Sequence, residues 1–227
     1  MFDFFKKILL YFFSFERQDD CITLFIAVGK NKNYVAENIN YFKGCECIIF
    51  KHTEYKLNIG NCKEVYKKTS WSKFFILSNS YVKKKHKYIT VVLDDVKIEN
   101  YSFQKAIRII DEHEKAIVSP KIIGSYYDYN KISFTEIFVT TFSLYSWECW
   151  LNMMMNLNIN YKKTIGWGFD LCYPVFCPLV KHIKTNDTAH HVYKRRNAYF
   201  NKIGTNEVKK YNEISLKINR KRCLMQT

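Results

Sequence analysis

The chain is poor in the residues that loosen a backbone: 7 glycines and 3 prolines among 227 residues. That scarcity excludes collagen-like and linker-like chains. A hydrophobic content of 48%, with 17% aromatic, excludes a disordered one. No C-x-x-C pair recurs among the 8 cysteines, which argues against a zinc ribbon. Acid is also scarce: 21 Asp and Glu stand against 36 Lys and Arg, a net charge of +15. The length suits one domain, large enough to bury a core without disulfide or metal staples.

The excess charge is local. Residues 63–87 carry eight Lys against Glu64, or +7, and residues 194–227 carry ten bases against Glu207 and Glu213, or +8. These two segments account for the whole net charge, so the rest is neutral. A chain that binds nucleic acid over its whole surface would be basic throughout. Two basic segments on a neutral body point instead to local anions: phosphates, a membrane surface or an acidic partner. The cysteines are expected to be reduced, mostly buried thiols of a cytosol-like compartment, and the protein cytoplasmic.

The first residues, Met1 to Phe15, form an apolar run broken by Lys6 and Lys7. It is shorter than the about 20 residues of a membrane span. It lacks a small-residue cleavage site, which argues against a signal peptide. Two readings stand: an amphipathic segment on a membrane, or a segment docked on the domain. Three parts are expected: residues 1–20, a catalytic domain over 21–193, and a basic, partly helical tail over 194–227.

Apolar runs alternate with helical spacing. Strands are expected at Cys21–Val28, Cys47–Phe50, Tyr88–Leu93 and Ala116–Val118, the last ended by Pro120, with a β-rich stretch over 132–141. Helices are expected at 34–42, 71–81, 103–114 and 144–157. This alternation predicts an α/β protein with a mixed, mostly parallel central sheet and helices on its faces. His113 and His182 read as ordinary helix histidines.

Three segments carry candidate chemistry. Asp94-Asp95 follows a hydrophobic strand, where ligands gather in parallel sheets. Adjacent carboxylates there repel unless they share a cation, and Mg²⁺ or Mn²⁺ prefers oxygen ligands with substrate phosphates. A solvated turn is the plain alternative. In Gly166-Trp167-Gly168-Phe169-Asp170, the carboxylate is either presented to a ligand as a general base or favoured at a helix N-terminus by the dipole. In Asp187-Thr188-Ala189-His190-His191, an imidazole either completes a metal site or belongs to a surface pair.

The order of these elements resembles a nucleotide-sugar glycosyltransferase of the GT-A type. Over roughly residues 22–193 it is also similar to an uncharacterised glycosyltransferase-like family and to small single-domain viral glycosyltransferases. The matching features are Phe25-Ile26-Ala27-Val28-Gly29, Trp71-Ser72-Lys73, a tyrosine-led strand from Tyr88 into the D-x-D-like Asp94-Asp95, Ser119-Pro120, the aromatic-rich stretch from Phe138 to Met154, Trp167-Gly168-Phe169-Asp170, and Asp187 with His190 or His191.

The resemblance implies a GT-A (Rossmann-like) fold and roles for these residues. Asp95 with Asp94 would bind Mn²⁺ or Mg²⁺ at the donor diphosphate, with His191 or His190 as a third ligand. Asp170 would face the acceptor hydroxyl and take its proton if the transfer inverts the sugar's configuration. Val28, Gly29 and the region of His52 and Thr53 would hold the nucleoside, and Lys73 would meet phosphate or pair with an acid. The sequence departs at two points: Leu93 replaces the first acid of the acidic motif, and Thr53 stands where an Asp often grips base or ribose.

The function so implied is metal-dependent transfer of a hexosyl or pentosyl group from a nucleotide-diphosphate donor to a glycan or glycoprotein. Peripheral membrane contact would run through the N-terminal segment and the basic tail. The alternatives are a GT-A-like binding or scaffold protein that has lost activity, and a basic nucleic-acid binder. No recognised nucleic-acid module supports the last.

Overall fold

A computed structural model describes residues 19–29, 32–125, 134–157, 168–192 and 198–225. The N-terminal run to Phe15, Gly166-Trp167 and Lys194-Arg195-Arg196 lie outside the described residues. Eight strands form one sheet: β1 (Cys21–Val28), β2 (Glu46–Lys51), β3 (Lys63–Tyr66), β4 (Tyr88–Leu93), β5 (Val96–Asn100), β6 (Ala116–Ile123), β7 (Val139–Ser143) and β8 (Lys181–His191). Their spatial order is β3-β2-β1-β4-β7-β6-β8-β5. The pairs β1–β2, β1–β4, β2–β3 and β6–β8 are parallel. Strands β7 and β5 run antiparallel to their neighbours. The carboxyl ends of β1, β2, β3, β4, β6 and β8 therefore share one edge.

Continuous apolar runs make strands buried on both faces, and helices cover each face. On one side lie α2 (Trp71–Ser78), α4 (Leu144–Asn156), α5 (Phe169–Phe176) and α6 (Ala198–Met225). Phe74, Phe75, Trp147, Trp150, Phe169, Tyr173 and Tyr211 pack there against Ile22, Leu24, Ile89 and Phe142. On the other side lie α1 (Lys32–Asn38), the 3₁₀ turn Ile39–Phe42 and α3 (Phe103–His113). Phe42, Phe103, Ala106 and Ile110 pack there against Phe25, Ile49, Val92 and Val118. Ser102 and Ser143 cap α3 and α4 by accepting from the amides of Lys105 and Ser146. The basic C-terminal segment is joined to this body: Tyr211 of α6 is 1% exposed and meets Phe169 edge-on at 4.8 Å.

Several expectations change. Strand β6 does not stop at Pro120 but runs on to Ile123, with Pro120 placed where the ladder to β8 shifts register. A missing N–H costs little at such a bulge. His182 sits on β8 rather than on a helix. Strands β3 and β5 are short and polar, so hydrophobic runs did not announce them.

The cysteines are corrected too. Instead of reduced thiols, Cys21–Cys45, Cys47–Cys62 and Cys149–Cys177 are disulfides, and Cys172 is a buried free thiol. For the first two the cause is parallel register. Ile22 pairs with Glu46 and Ile48 with Lys63, which sets each preceding cysteine opposite its partner. Disulfides persist in oxidising surroundings, so the thiol argument for a cytosol-like compartment falls. No helix among the described residues is long and apolar enough to cross a membrane.

Candidate functional site

Strand β1 ends irregularly. Its register to β2 shifts between Phe25 and Val28, and Ala27 takes a left-handed φ of 63°. Such strain in a non-glycine residue costs about 1–3 kcal/mol and collects at functional sites. It turns the chain so that the Gly29 amide donates to Asp94 Oδ2 at 3.1 Å. Asp94 and Asp95 form the turn from β4 into β5.

Beside them the edge of β8 brings in His191. Its Nε2 lies 3.1 Å from Asp95 Oδ2, and the Val192 amide donates to the Asp95 carbonyl at 2.8 Å. The His191 ring packs on Phe138 at 4.6 Å, and Leu93 N–H donates to the Phe138 carbonyl at 2.9 Å. Gly124, at the end of β6, has φ 81°, and a Cβ there would stand 2.9 Å from the His191 carbonyl. Only glycine lets β8 approach so closely.

The predicted residues separate into groups. Asp95 and His191 are brought together, and Gly29 meets Asp94 beside them. Successive strand residues face opposite ways, and His190 turns from His191 to Glu99, its Nε2 3.1 Å from Glu99 Oε2. Asp187 binds the amide of Ser102 at 3.0 Å, near the start of α3. Val28 is buried and lies in register with Lys51. Half-buried Thr53 accepts the Tyr55 amide at 3.4 Å. Lys73 is exposed on the first turn of α2. Part of the first basic segment lies elsewhere: Lys83, Lys85 and His86 gather on Glu46, at the amino end of β2.

Two donors 3.1 Å apart fit adjacent corners of an octahedron, where ligands at about 2.1 Å stand about 3.0 Å from each other. No group of three or more Cys, His, Asp or Glu side chains able to hold a metal occurs among the described residues. Asp95 and His191 thus offer two donors, so an ion there would need its further ligands from outside the described side chains.

Asp170 lies in the first turn of α5, next to Gly168. Gly168 has φ 86°, and a Cβ there would stand 3.0 Å from Val208 Cα of α6, so both conformation and space require glycine. Although Asp170 as a residue is half-buried, its Oδ1 is covered and has no hydrogen-bond partner among the described residues. Burial pushes its carboxyl up to about 7, against the pull of its own and Leu171's amides.

A second carboxylate, missed in the sequence, shares this region. Glu136 is 5% exposed and accepts the Ser125 hydroxyl at 2.6 and 2.5 Å. Burial first, and the Asp170 charge second, push it up to about 8, against Ser125 and Lys184. The Thr135 amide donates to His182 Nδ1 at 3.0 Å, leaving the ring's proton on Nε2. Burial, with Lys184 adding, lowers that imidazole to about 4. Segment 134–138 thus touches His191 through Phe138 and carries Glu136 beside the Asp170 charge. A lone acid within the apolar, β-rich stretch over 132–141 was the one sequence signal for Glu136.

No protein-family model matches the chain, and no curated protein matches it. Solved structures do. TarS from S. aureus, a GT-A-type glycosyltransferase, superposes with a TM-score of 0.52 at 9% identity, over 76% of this chain and 36% of TarS. This chain therefore spans little more than a third of TarS. The 4-diphosphocytidyl-2C-methyl-D-erythritol synthase of Anaerococcus prevotii DSM 20548 superposes with a TM-score of 0.50 at 11% identity, over 83% of this chain and 96% of the synthase. At such identities the likeness is one of fold: the chain has a GT-A-like, Rossmann-like α/β fold.

Proposed function

We propose that the chain is a transferase that moves a sugar, hexosyl or pentosyl, from a nucleotide-diphosphate donor to a hydroxyl of a glycan or glycoprotein, with Mn²⁺ or Mg²⁺ as cofactor. The observation that carries this reading is the convergence at one sheet edge of the Gly29–Asp94 contact, the Asp95–His191 pair and the segment leading to Glu136. The GT-A-like fold supports it.

Asp95 and His191 would hold the ion. When bound, it supplies positive charge to the leaving diphosphate. Asp94 fixes the Gly29 amide, and so the backbone at the end of β1 where the donor would lie. Asp170, titrating near neutrality, takes the proton of the acceptor hydroxyl as that oxygen attacks the sugar carbon. The bond from that carbon to the diphosphate breaks in the same step. Covered from water and close to pH 7, this carboxyl is matched to base catalysis. Lys67 and Lys68, just beyond β3, lie at the same edge and add to its positive potential.

Donor hydrolysis in Mn²⁺, followed by release of nucleoside diphosphate, tests the reading. Asp95→Ala and Asp170→Asn should each abolish most of the rate; wild-type rates in both would overturn it. One observation favours a second reading, a binding protein without turnover. Leu93, which stands where the resembling family carries an acid, packs against both core clusters. Tight donor binding with no release of product would select that reading.

A further inference from the structure

Helix α6 spends its apolar side inside the fold. Gly204, Tyr211 and Ser215 are buried, and Glu207, Val208, Ile214 and Ile218 are half-buried. These positions recur every three or four residues, so they form one side of the helix. The start of α5 grips that side. Tyr211 meets Phe169 at 4.8 Å, and its carbonyl accepts the buried Cys172 thiol at 3.3 Å. The Val208 Cα lies so close to Gly168 that a Cβ there would stand 3.0 Å away. The rotation of α6 about its own axis is therefore fixed.

The other side is left to solvent, and it is basic. Lys202 and Lys209 share that side with Glu213 and Leu216, and Lys210 and Lys217 flank them. All six are exposed, Leu216 at 49%. Lys210 also lies over the Tyr211 ring at 5.5 Å. Over its full length α6 carries seven Lys and Arg against Glu207 and Glu213, a net +5. An α-helix rises about 1.5 Å per residue, so the row from Lys202 to Lys217 is about 22 Å long.

The shape of this row selects its partner. An amphipathic helix lying in a bilayer inserts its apolar face. Helix α6 cannot, because α5 holds that face, so any contact is made by charge. A nucleic-acid strand is tracked by a basic groove, and this row is a convex ridge. A charged plane meets the whole row at once, and clusters of about four to eight Lys and Arg on a helix suit anionic headgroups. The sequence also holds an apolar counterpart: Met1 to Phe15 contains six Phe beside Lys6 and Lys7. A weak apolar anchor and a basic patch attach stably together where either alone does not.

We propose that the outward side of α6 docks on an anionic lipid surface, with Lys202, Lys209, Lys210 and Lys217 against the headgroups. The basic C-terminal segment is then an oriented surface of the domain rather than a loose arm.

Co-sedimentation of the full chain with vesicles tests this, using phosphatidylcholine alone and phosphatidylcholine with about one-third phosphatidylserine. The chain should bind only the anionic vesicles, and binding should fall steeply between about 0.1 and about 1 M salt. Replacing Lys202, Lys209 and Lys217 together by Ala should weaken binding about 100-fold, at about fivefold for each lysine. Lys43, Lys84 and Lys87 are exposed lysines outside α6. Replacing them together by Ala removes the same charge and should leave binding unchanged. Melting temperatures report that both variants are folded.

Wild-type binding in the α6 variant overturns the proposal, and so does an equal loss in the control variant. Equal binding to neutral vesicles overturns it by showing a purely apolar contact. Capture of an oligonucleotide through the same three lysines, with anionic vesicles ignored, overturns it in favour of nucleic acid. None of these outcomes touches the donor reading, because α6 holds none of the donor-site residues.

Discussion

His191 Nε2 and Asp95 Oδ2 stand 3.1 Å apart although 96 residues separate them in the chain. Strand β8 makes the contact possible by pairing with β6 and β5 at once, which returns its last residue to the turn after β4. The same alternation that presents His191 to this turn sends His190 to Glu99.

In the proposed reaction Asp170, pushed up to about 7, would set the acid limb of catalysis. Below that value the carboxyl is protonated and cannot accept the acceptor's proton. The rate kcat/KM should fall about tenfold per pH unit below about pH 7, and Asp170→Asn should lower kcat by about 10²–10⁴-fold. A pH–rate profile of both forms checks it.

The two raised carboxyls also make stability depend on pH. In the unfolded chain both ionise near pH 4, whereas folded Asp170 and Glu136 hold their protons to about 7 and 8. Where the unfolded state has lost protons and the folded state keeps them, raising the pH favours unfolding. Their contribution is greatest below about pH 4 and declines through the window up to pH 8. Removing the ionisable group removes this penalty. Glu136→Gln and Asp170→Asn should each raise the melting temperature by about 2–4 °C or more at pH 8, and by less at pH 5. Thermal melts at the two pH values decide it.

Gly168 joins the turn before α5 to the docking of α6. Gly168→Ala forces a Cβ to 3.0 Å from Val208 Cα at φ 86°, so it should cost about 1–3 kcal/mol. Gly168 therefore reads partly as a packing residue. Denaturant titration gives the cost, and hydrogen exchange over residues 198–225 should rise.

Three disulfides close spans of 24, 15 and 28 residues. Each is worth about 2–4 kcal/mol. Alkylation of the oxidised, denatured protein should label Cys172 and leave Cys21, Cys45, Cys47, Cys62, Cys149 and Cys177 unmodified. Reduction should lower the melting temperature by several degrees.

The long apolar strands and the Trp147/Trp150 helix were legible because burial on both sides writes continuous or 3.6-spaced apolar patterns into the sequence. Strands β3 and β5 were not, because edge strands are short and polar. The disulfides escaped because two depend on parallel register and the third on how α4 meets the end of α5, which spacing along one chain does not reveal. Asp94, Asp95, Asp170 and His191 could be picked out by motif. Glu136 and Ser125 could not, since their meaning comes from contacts across the fold.

The central claim is a donor site completed by a divalent ion at Asp95 and His191. Calorimetric titration of nucleotide diphosphates and their sugars, with Mn²⁺ and with chelator, tests it most directly. Binding should require Mn²⁺ in the wild type and weaken at least about tenfold in Asp95→Ala and His191→Ala. Affinity that ignores both the ion and these substitutions would contradict it.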